Sequence, residues 1–272
     1  QCHTGQLAGQ WYADLLDLKN LFMPDRVEKA MDAILRNNPV GHSLASTKRP
    51  ASSSQADAKE QHAWPMNTAA HFACLLIHRN RTNAALALLE KHFQMQHQQG
   101  VSPYNMPLIW DLAGETPCAN TPERPSTALA YWYVFHAISG IMLNIPKKIL
   151  RVTPHLPAGM HSMEMPVFTS VCLGWLKFQE NTPDGALQLI TVSFDSPVAL
   201  DVIELNVPAG LNALHIWCED ASGFLDVVYA LQSGEEKQRL LIRTKNTVSI
   251  HGTLTIRVTV PPPGPPKVSQ VP

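Results

Sequence analysis

The sequence predicts two regions, an α-helical one followed by a β-rich one, and three observations predict them. Apolar residues recur at spacings of three and four up to about Leu143, after Pro146 the recurrence changes to two, and helices apolar all round alternate with helices apolar on one side. Helical pairs of this kind suggest a toroid, in which inner helices are covered by outer ones and the loops at one end form a pocket. The expected division is a helical region over 1–145, a β-sandwich over 146–260 and a Pro-rich tail over 261–272.

Each element has its own warrant. Gln1 to Leu18 places Leu7, Trp11, Leu15 and Leu18 on one face of an amphipathic helix, with Gly9 allowing close approach of another backbone. Pro24 opens a second helix with Val27, Met31, Ile34 and Leu35 on one face and Arg26, Glu28, Lys29 and Asp32 on the other, and the pair reads as a hairpin. Gly41 to Lys59 is polar and serine-rich, the pattern of a long surface loop. Trp64 to Ile77 begins with Pro65 and then stays apolar or small on nearly every side, so it reads as a helix buried all round. After Arg79-Asn80-Arg81 a further helix, Thr82 to Gln98, keeps Ala85, Leu88, Leu89 and Phe93 on one side. A loop carrying Tyr104, Trp110 and Asp111 then leads to Ser126, read as the cap of a long helix through Leu143.

In the β region the alternation is cleanest at Leu254, Ile256, Val258 and Val260, separated by Thr255, Arg257 and Thr259. Further strands are expected at 148–152, 171–178, 186–194, 202–207, 213–218 and 224–231, which with Pro- and Gly-rich turns argue for a β-sandwich. From Pro261 onward the chain is Pro-rich, with Pro262, Pro263, Pro265 and Pro266, and cannot pair in a sheet.

Composition removes several functions. A formal net charge of -1 gives no electrostatic case for nucleic acid or an anionic membrane surface. No run of 18 apolar residues marks a membrane span. The five cysteines are widely spaced with no Cys-x-x-Cys, signalling neither a zinc site nor a disulfide framework. No G-x-S-x-G, phosphate loop or H-E-x-x-H occurs, and no cofactor or metal is expected. His92 and His97, five apart, do not share a helix face and read as surface residues, whereas His71 and His136 lie on apolar helices and face either the core or a pocket.

The run Gln6-Leu7-Ala8-Gly9-Gln10-Trp11-Tyr12-Ala13 resembles a stretch of glycoside hydrolase family 116, the family of non-lysosomal glucosylceramidase and its bacterial relatives, and Leu21 to Val27 is similar to that family's next helix start. Two further family segments find counterparts at a similar separation: Trp64 and Thr68, and the loop Met106-Pro107-Leu108-Ile109-Trp110-Asp111. The resemblance implies an (α/α)6 toroid, a retaining β-glucosidase-like activity on a glycoside substrate, and Trp64 as a wall of the sugar pocket, its face stacking on a pyranose. It implies Thr68, Asp111 and Arg124 as further substrate-binding residues. It departs at Leu108, where the family has a glutamate that binds glucose hydroxyls, since leucine accepts no hydrogen bond.

Retaining hydrolysis needs two carboxyl groups about 5 Å apart. In the family both lie ahead of the Gln6–Ala13 motif, and no pair with pocket-like surroundings occurs here. Asp14, Asp17, Glu28, Asp32 and Glu90 read as solvated faces of amphipathic helices. The expectation is therefore the C-terminal half of a toroid followed by a β-sandwich, inactive by itself, from a longer β-glycosidase. The competing expectations are a catalytically degenerate carbohydrate-binding or scaffolding protein, and a toroidal glycosidase with a different sugar choice.

Overall fold

A computed structural model describes residues 2–18, 20–40, 43–44, 47–48, 62–63, 69–98, 110–111, 116–117, 130–169, 171–234 and 237–261. The chain divides into two compact units, Gln1–Ile138 and Ser139–Pro272.

Among the described residues the first unit holds five α-helices: α1 (Ala8–Leu15), α2 (Pro24–Asn37), α3 (Ala70–His78), α4 (Thr82–Gln98) and α5 (Ala130–Ser139), the last running to its boundary. Short strands accompany them: β1 (Cys2–His3), β2 (Pro39–Val40), β3 (Ser43–Leu44), β4 (Thr47–Lys48), β5 (His62–Ala63), β6 (Trp110–Asp111) and β7 (Thr116–Pro117). α3 is the inner helix, since every residue from Phe72 to Ile77 is buried, and α1 and α4 pack against it. α2 contributes Val27, Met31 and Ile34, each fully buried at spacings of four and three, to the same core. Pro24 opens α2 because its missing N–H would be unsatisfied at a first helical turn in any case.

Several expectations for this unit are corrected. The first helix is shorter than Gln1–Leu18: Cys2–His3 pairs with Thr47–Lys48 as β1 and β4, and Thr4–Leu7 is a 3-10 turn. Two strands, β3 and β4, therefore lie inside the stretch read as loop. α1 packs on α3 more than on α2. The buried stripe of α4 runs Ala85, Leu88, His92, while Phe93 is exposed. His92 extends the three-and-four spacing one turn further than Phe93 can, so the surface reading of His92 fails. α3 is described from Ala70, and Trp64 to Thr68 lie outside the described residues.

The second unit contains β8 (Ile141–Asn144), β9 (Ile149–Val152), β10 (Ser162–Phe168), β11 (Leu173–Glu180), β12 (Gln188–Phe194), β13 (Val198–Pro208), β14 (His215–Asp220), β15 (Gly223–Phe224), β16 (Val227–Gln232), β17 (Lys237–Ile250) and β18 (Thr253–Thr259). They form a six-stranded sheet, β10-β11-β12-β18-β14-β15, and a five-stranded sheet, β16-β17-β13-β9-β8. All pairings are antiparallel except β13 with β9. Alternate residues of both sheets, among them Leu176, Ile190, Leu205, Ile242 and Ile256, share one apolar cluster. Glu204 and Arg151, cross-strand neighbours in the parallel pair, form a largely buried ion pair at 2.6 Å.

The helix expected over Ser126–Leu143 ends at Ser139. Gly140 has φ 56°, a left-handed geometry that closes a helix, and Ile141 to Asn144 then pair with β9. A Cβ at Gly140 would sit 2.0 Å from the Thr153 carbonyl oxygen. Gly140→Ala is therefore expected to lower stability by more than about 1 kcal/mol, combining backbone strain with that collision. Chemical denaturation checks this, and an unchanged midpoint would refute the account.

Candidate functional site

The run that carries the family resemblance builds the centre of the helical unit. Trp11, 1% exposed, stacks on the His71 ring of α3 with centroids 4.3 Å apart and planes 16° from parallel, and meets Tyr133 of α5 edge-on at 5.3 Å. Its indole N–H is buried without a close hydrogen-bond partner and tempers the neighbouring Cys74 thiol, which burial pushes up to about 12. Cys74 is thus a neutral core thiol, and burial pushes the His71 imidazole below its ordinary value.

A single turn of α1 ties down both the chain beyond it and the end of α3. Gln10, fully buried, accepts the backbone N–H groups of Leu21 and Phe22 on Oε1 and donates through Nε2 to Asp14. Asp14 in turn receives a two-pronged bond from Arg79, Nε to Oδ2 at 2.9 Å and Nη2 to Oδ1 at 2.8 Å. Arg79 lies just past the end of α3, so the pair fixes α1 against that end. The solvated-face reading of Asp14 is corrected, because both partners are more than four-fifths buried. Arg81 binds Glu28 and Asp32 of α2 at 2.8 and 2.6 Å, and that guanidinium holds the Asp32 carboxyl below its ordinary value. Sequence reasoning passed over both arginines as a turn. The signal was there in Gln10 and Asp14, four apart on one helix face, with a carboxylate that needs a partner once α1 is buried.

A small cleft of about 60 Å³ opens between the 3-10 turn and α3, lined by Thr4, Gly5, Leu7, Trp11, His71 and Phe72 among others. Small-molecule sites occupy roughly 300–1,000 Å³, and among the described residues no carboxylate lines this smaller cleft.

The expected sugar-binding residues stand elsewhere. Trp64, Thr68, Arg124 and the divergent Leu108 lie outside the described residues, and of Asp111 the backbone alone is described. That backbone is informative. β5, β6 and β7 form one antiparallel sheet in which His62 pairs with Asp111, Ala63 with Trp110, and Trp110 with Pro117. The chain position immediately before Trp64 is therefore a cross-strand neighbour of the Trp110-Asp111 segment. Among the described residues no group of three metal-ligating side chains occurs, and no helix is long and apolar enough to cross a membrane.

No protein-family model matches the chain, and no curated protein matches it. The solved structures it resembles are glycoside hydrolases at low identity. An α-L-rhamnosidase from Dictyoglumus thermophilum aligns over 92% of this chain and 25% of its own length, with a TM-score of 0.45 and 10% identity. The Streptomyces avermitilis α-L-rhamnosidase complexed with L-rhamnose aligns over 92% and 21%, with a TM-score of 0.45 and 11% identity. A GH127 β-L-arabinofuranosidase from Geobacillus stearothermophilus T6 aligns over 94% and 41%, with a TM-score of 0.31 and 12% identity. The chain spans about a quarter of the length of the first of these. None of these three is a β-glucosidase.

Burial holds the His92 imidazole near a pKa of about 4 instead of its ordinary 6.5. The unfolded chain therefore takes up this proton first as pH falls. The contribution is complete above pH 6.5 and is lost between 6.5 and about 4, an amount of about 3 kcal/mol. Thermal unfolding followed across that window should show a fall in Tm that His92→Leu flattens, and equal slopes in the two proteins would exclude this origin.

Proposed function

We propose that the chain is a carbohydrate-binding part of a glycoside hydrolase, in which the segments around Trp64, Thr68, Asp111 and Arg124 contribute one wall of a sugar pocket within an (α/α)6 toroid. The observation that carries the reading is the β5–β6–β7 sheet. His62 and Ala63, the two residues just ahead of Trp64, pair backbone to backbone with Trp110 and Asp111, more than forty residues further along the chain. In this reading Trp64 stacks on the apolar face of a pyranose, while Thr68, Asp111 and Arg124 hydrogen-bond its hydroxyls.

The described residues supply no catalytic pair. In the helical unit Asp14, Glu28 and Asp32 are all engaged by arginines. A general acid instead needs its carboxyl raised, and free to pass a proton to the leaving oxygen. A second reading, a carbohydrate-binding or scaffolding protein without catalysis, is favoured by this same engagement and by Leu108 in place of an acceptor. The family-116, β-glucosidase-like specificity belongs to the proposal and rests on the motif resemblance.

Two measurements test it. The 272-residue chain should release no aryl alcohol above the buffer rate from aryl β-glucoside, α-L-rhamnoside or β-L-arabinofuranoside, and turnover of any of them would overturn the assignment of these acids as structural. Calorimetric titration with a deoxynojirimycin should show binding that Trp64→Ala weakens about tenfold, about 1.4 kcal/mol. Equal affinity in the two proteins would remove Trp64 from the pocket.

A further inference from the structure

We propose that the outer face of the six-stranded sheet is a second carbohydrate-binding site, distinct from the helical unit and suited to a neutral oligosaccharide. Sheet register defines the face. Along β11 the residues pointing away from the core are Leu173, Trp175, Lys177 and Gln179, and along β18 they are Thr253, Thr255, Arg257 and Thr259. Strand pairing sets Glu164, Lys177, Thr191, Thr255 and Glu219 side by side in one row across five strands. This row presents hydroxyls, carboxylates and an ammonium without an apolar side chain among them.

Aromatic rings bound the row. Trp175 is 52% exposed and stands two residues along β11 from Lys177, about 7 Å away. On the other side Trp217 of β14 and Phe224 of β15, 54% and 69% exposed, pack edge to face at 4.8 Å. β11 and β14 are three strand spacings apart in the sheet, about 14 Å, so the two aromatic stations are separated by a polar floor. Between β10, β11 and β12 that face sinks into an open depression of about 460 Å³, lined by Ser162, Glu164, Lys177, Gln179 and Thr191 together with the apolar Met163, Phe178 and Leu189. This volume lies inside the small-molecule range that the cleft of the helical unit fails to reach.

Charge selects the occupant. Glu164 pairs with Lys177 at 3.1 Å, and Arg257 pairs with Asp184 at 2.6 Å, so these charges cancel and Glu219 leaves the row slightly negative. Such a face does not attract a polyanion. Nor does it resemble a stable protein interface, whose buried centre is depleted of charge, because charges and hydroxyls occupy its middle and the aromatics its margins. Exposed indole faces flanking a hydroxyl-rich floor suit a ligand that is neutral, rich in hydroxyls and apolar on its ring faces, which is an oligosaccharide.

Affinity electrophoresis of the 272-residue chain through gels containing hydroxyethyl cellulose, xyloglucan or debranched arabinan tests the proposal, with a polygalacturonate gel as the anionic counterpart. At least one neutral polymer should retard the chain. Trp175→Ala should raise the dissociation constant at least tenfold and Thr191→Ala severalfold. Both sheet substitutions are on the solvent side, and circular dichroism confirms that each variant folds; if Trp175→Ala does not, Thr191→Ala decides. The proposal is overturned by no retardation in any neutral gel, by retardation that survives the deciding sheet variant, or by equal retardation in polygalacturonate. Loss of retardation in Trp64→Ala also overturns it, since the binding would then belong to the pocket of the helical unit.

Discussion

The helical unit depends on the burial of one indole. Trp11 enters from α1, lies flat against His71 of α3 and meets the edge of Tyr133 from α5. Removing a buried tryptophan from such a position typically costs about 3–5 kcal/mol, and each aromatic pair adds about 0.5–1.5 kcal/mol beyond area. Those sums matter in a unit whose helices are mostly fewer than fifteen residues and so owe their stability to packing. The residues beside Trp11 extend its reach: Gln10 holds the chain after α1, and Asp14 holds the end of α3 through Arg79. The eight-residue run that resembles a glycosidase family is thus a fastener. Its chemistry is positional, holding α1 against α3 and α5 and fixing the chain at Leu21 and Phe22.

Much of this architecture was legible because the physics is local. The two-residue period of Leu254, Ile256 and Val258 translates directly into side chains buried on one face of β18. Unread features have equally specific reasons. β10 contains Pro166, which argues against a central strand, and β10 is indeed an edge strand where a missing donor is tolerated. β17 carries charged and polar residues along half its length, so its alternation is blurred, although Leu240, Ile242 and Ile250 point inward. The end of α5 was misplaced because Ile141 and Leu143 continue an apolar pattern. A single glycine with positive φ turned that pattern from helix to strand.

The candidate site was legible in a different way. No period or composition brings Ala63 beside Trp110; that pairing spans a loop closure that local propensity does not report. The spacing of the two motif fragments supports the family resemblance and does not foretell this pairing. His92 shows the opposite failure, since its position one turn beyond Leu88 was sufficient to bury it, and its residue type alone argued for the surface.

The distribution of charge decides what these units can do. In the helical unit, Arg79 is spent on Asp14 and Arg81 on Glu28 and Asp32, and the Arg81 guanidinium holds the Asp32 carboxyl below its ordinary value, the wrong direction for a proton donor. In the β unit, Arg151 and Glu204 form a largely buried ion pair across the parallel strands, while on the outer sheet face Lys177 and Arg257 are each paired with a carboxylate. These carboxylates serve as fasteners, and the groups left to face solvent on the β unit are aromatic rings, hydroxyls and amides, which recognise without a shifted pKa. Those groups suit an uncharged sugar, and on the β unit they are assembled on a rigid sheet whose register fixes their spacing before any ligand arrives.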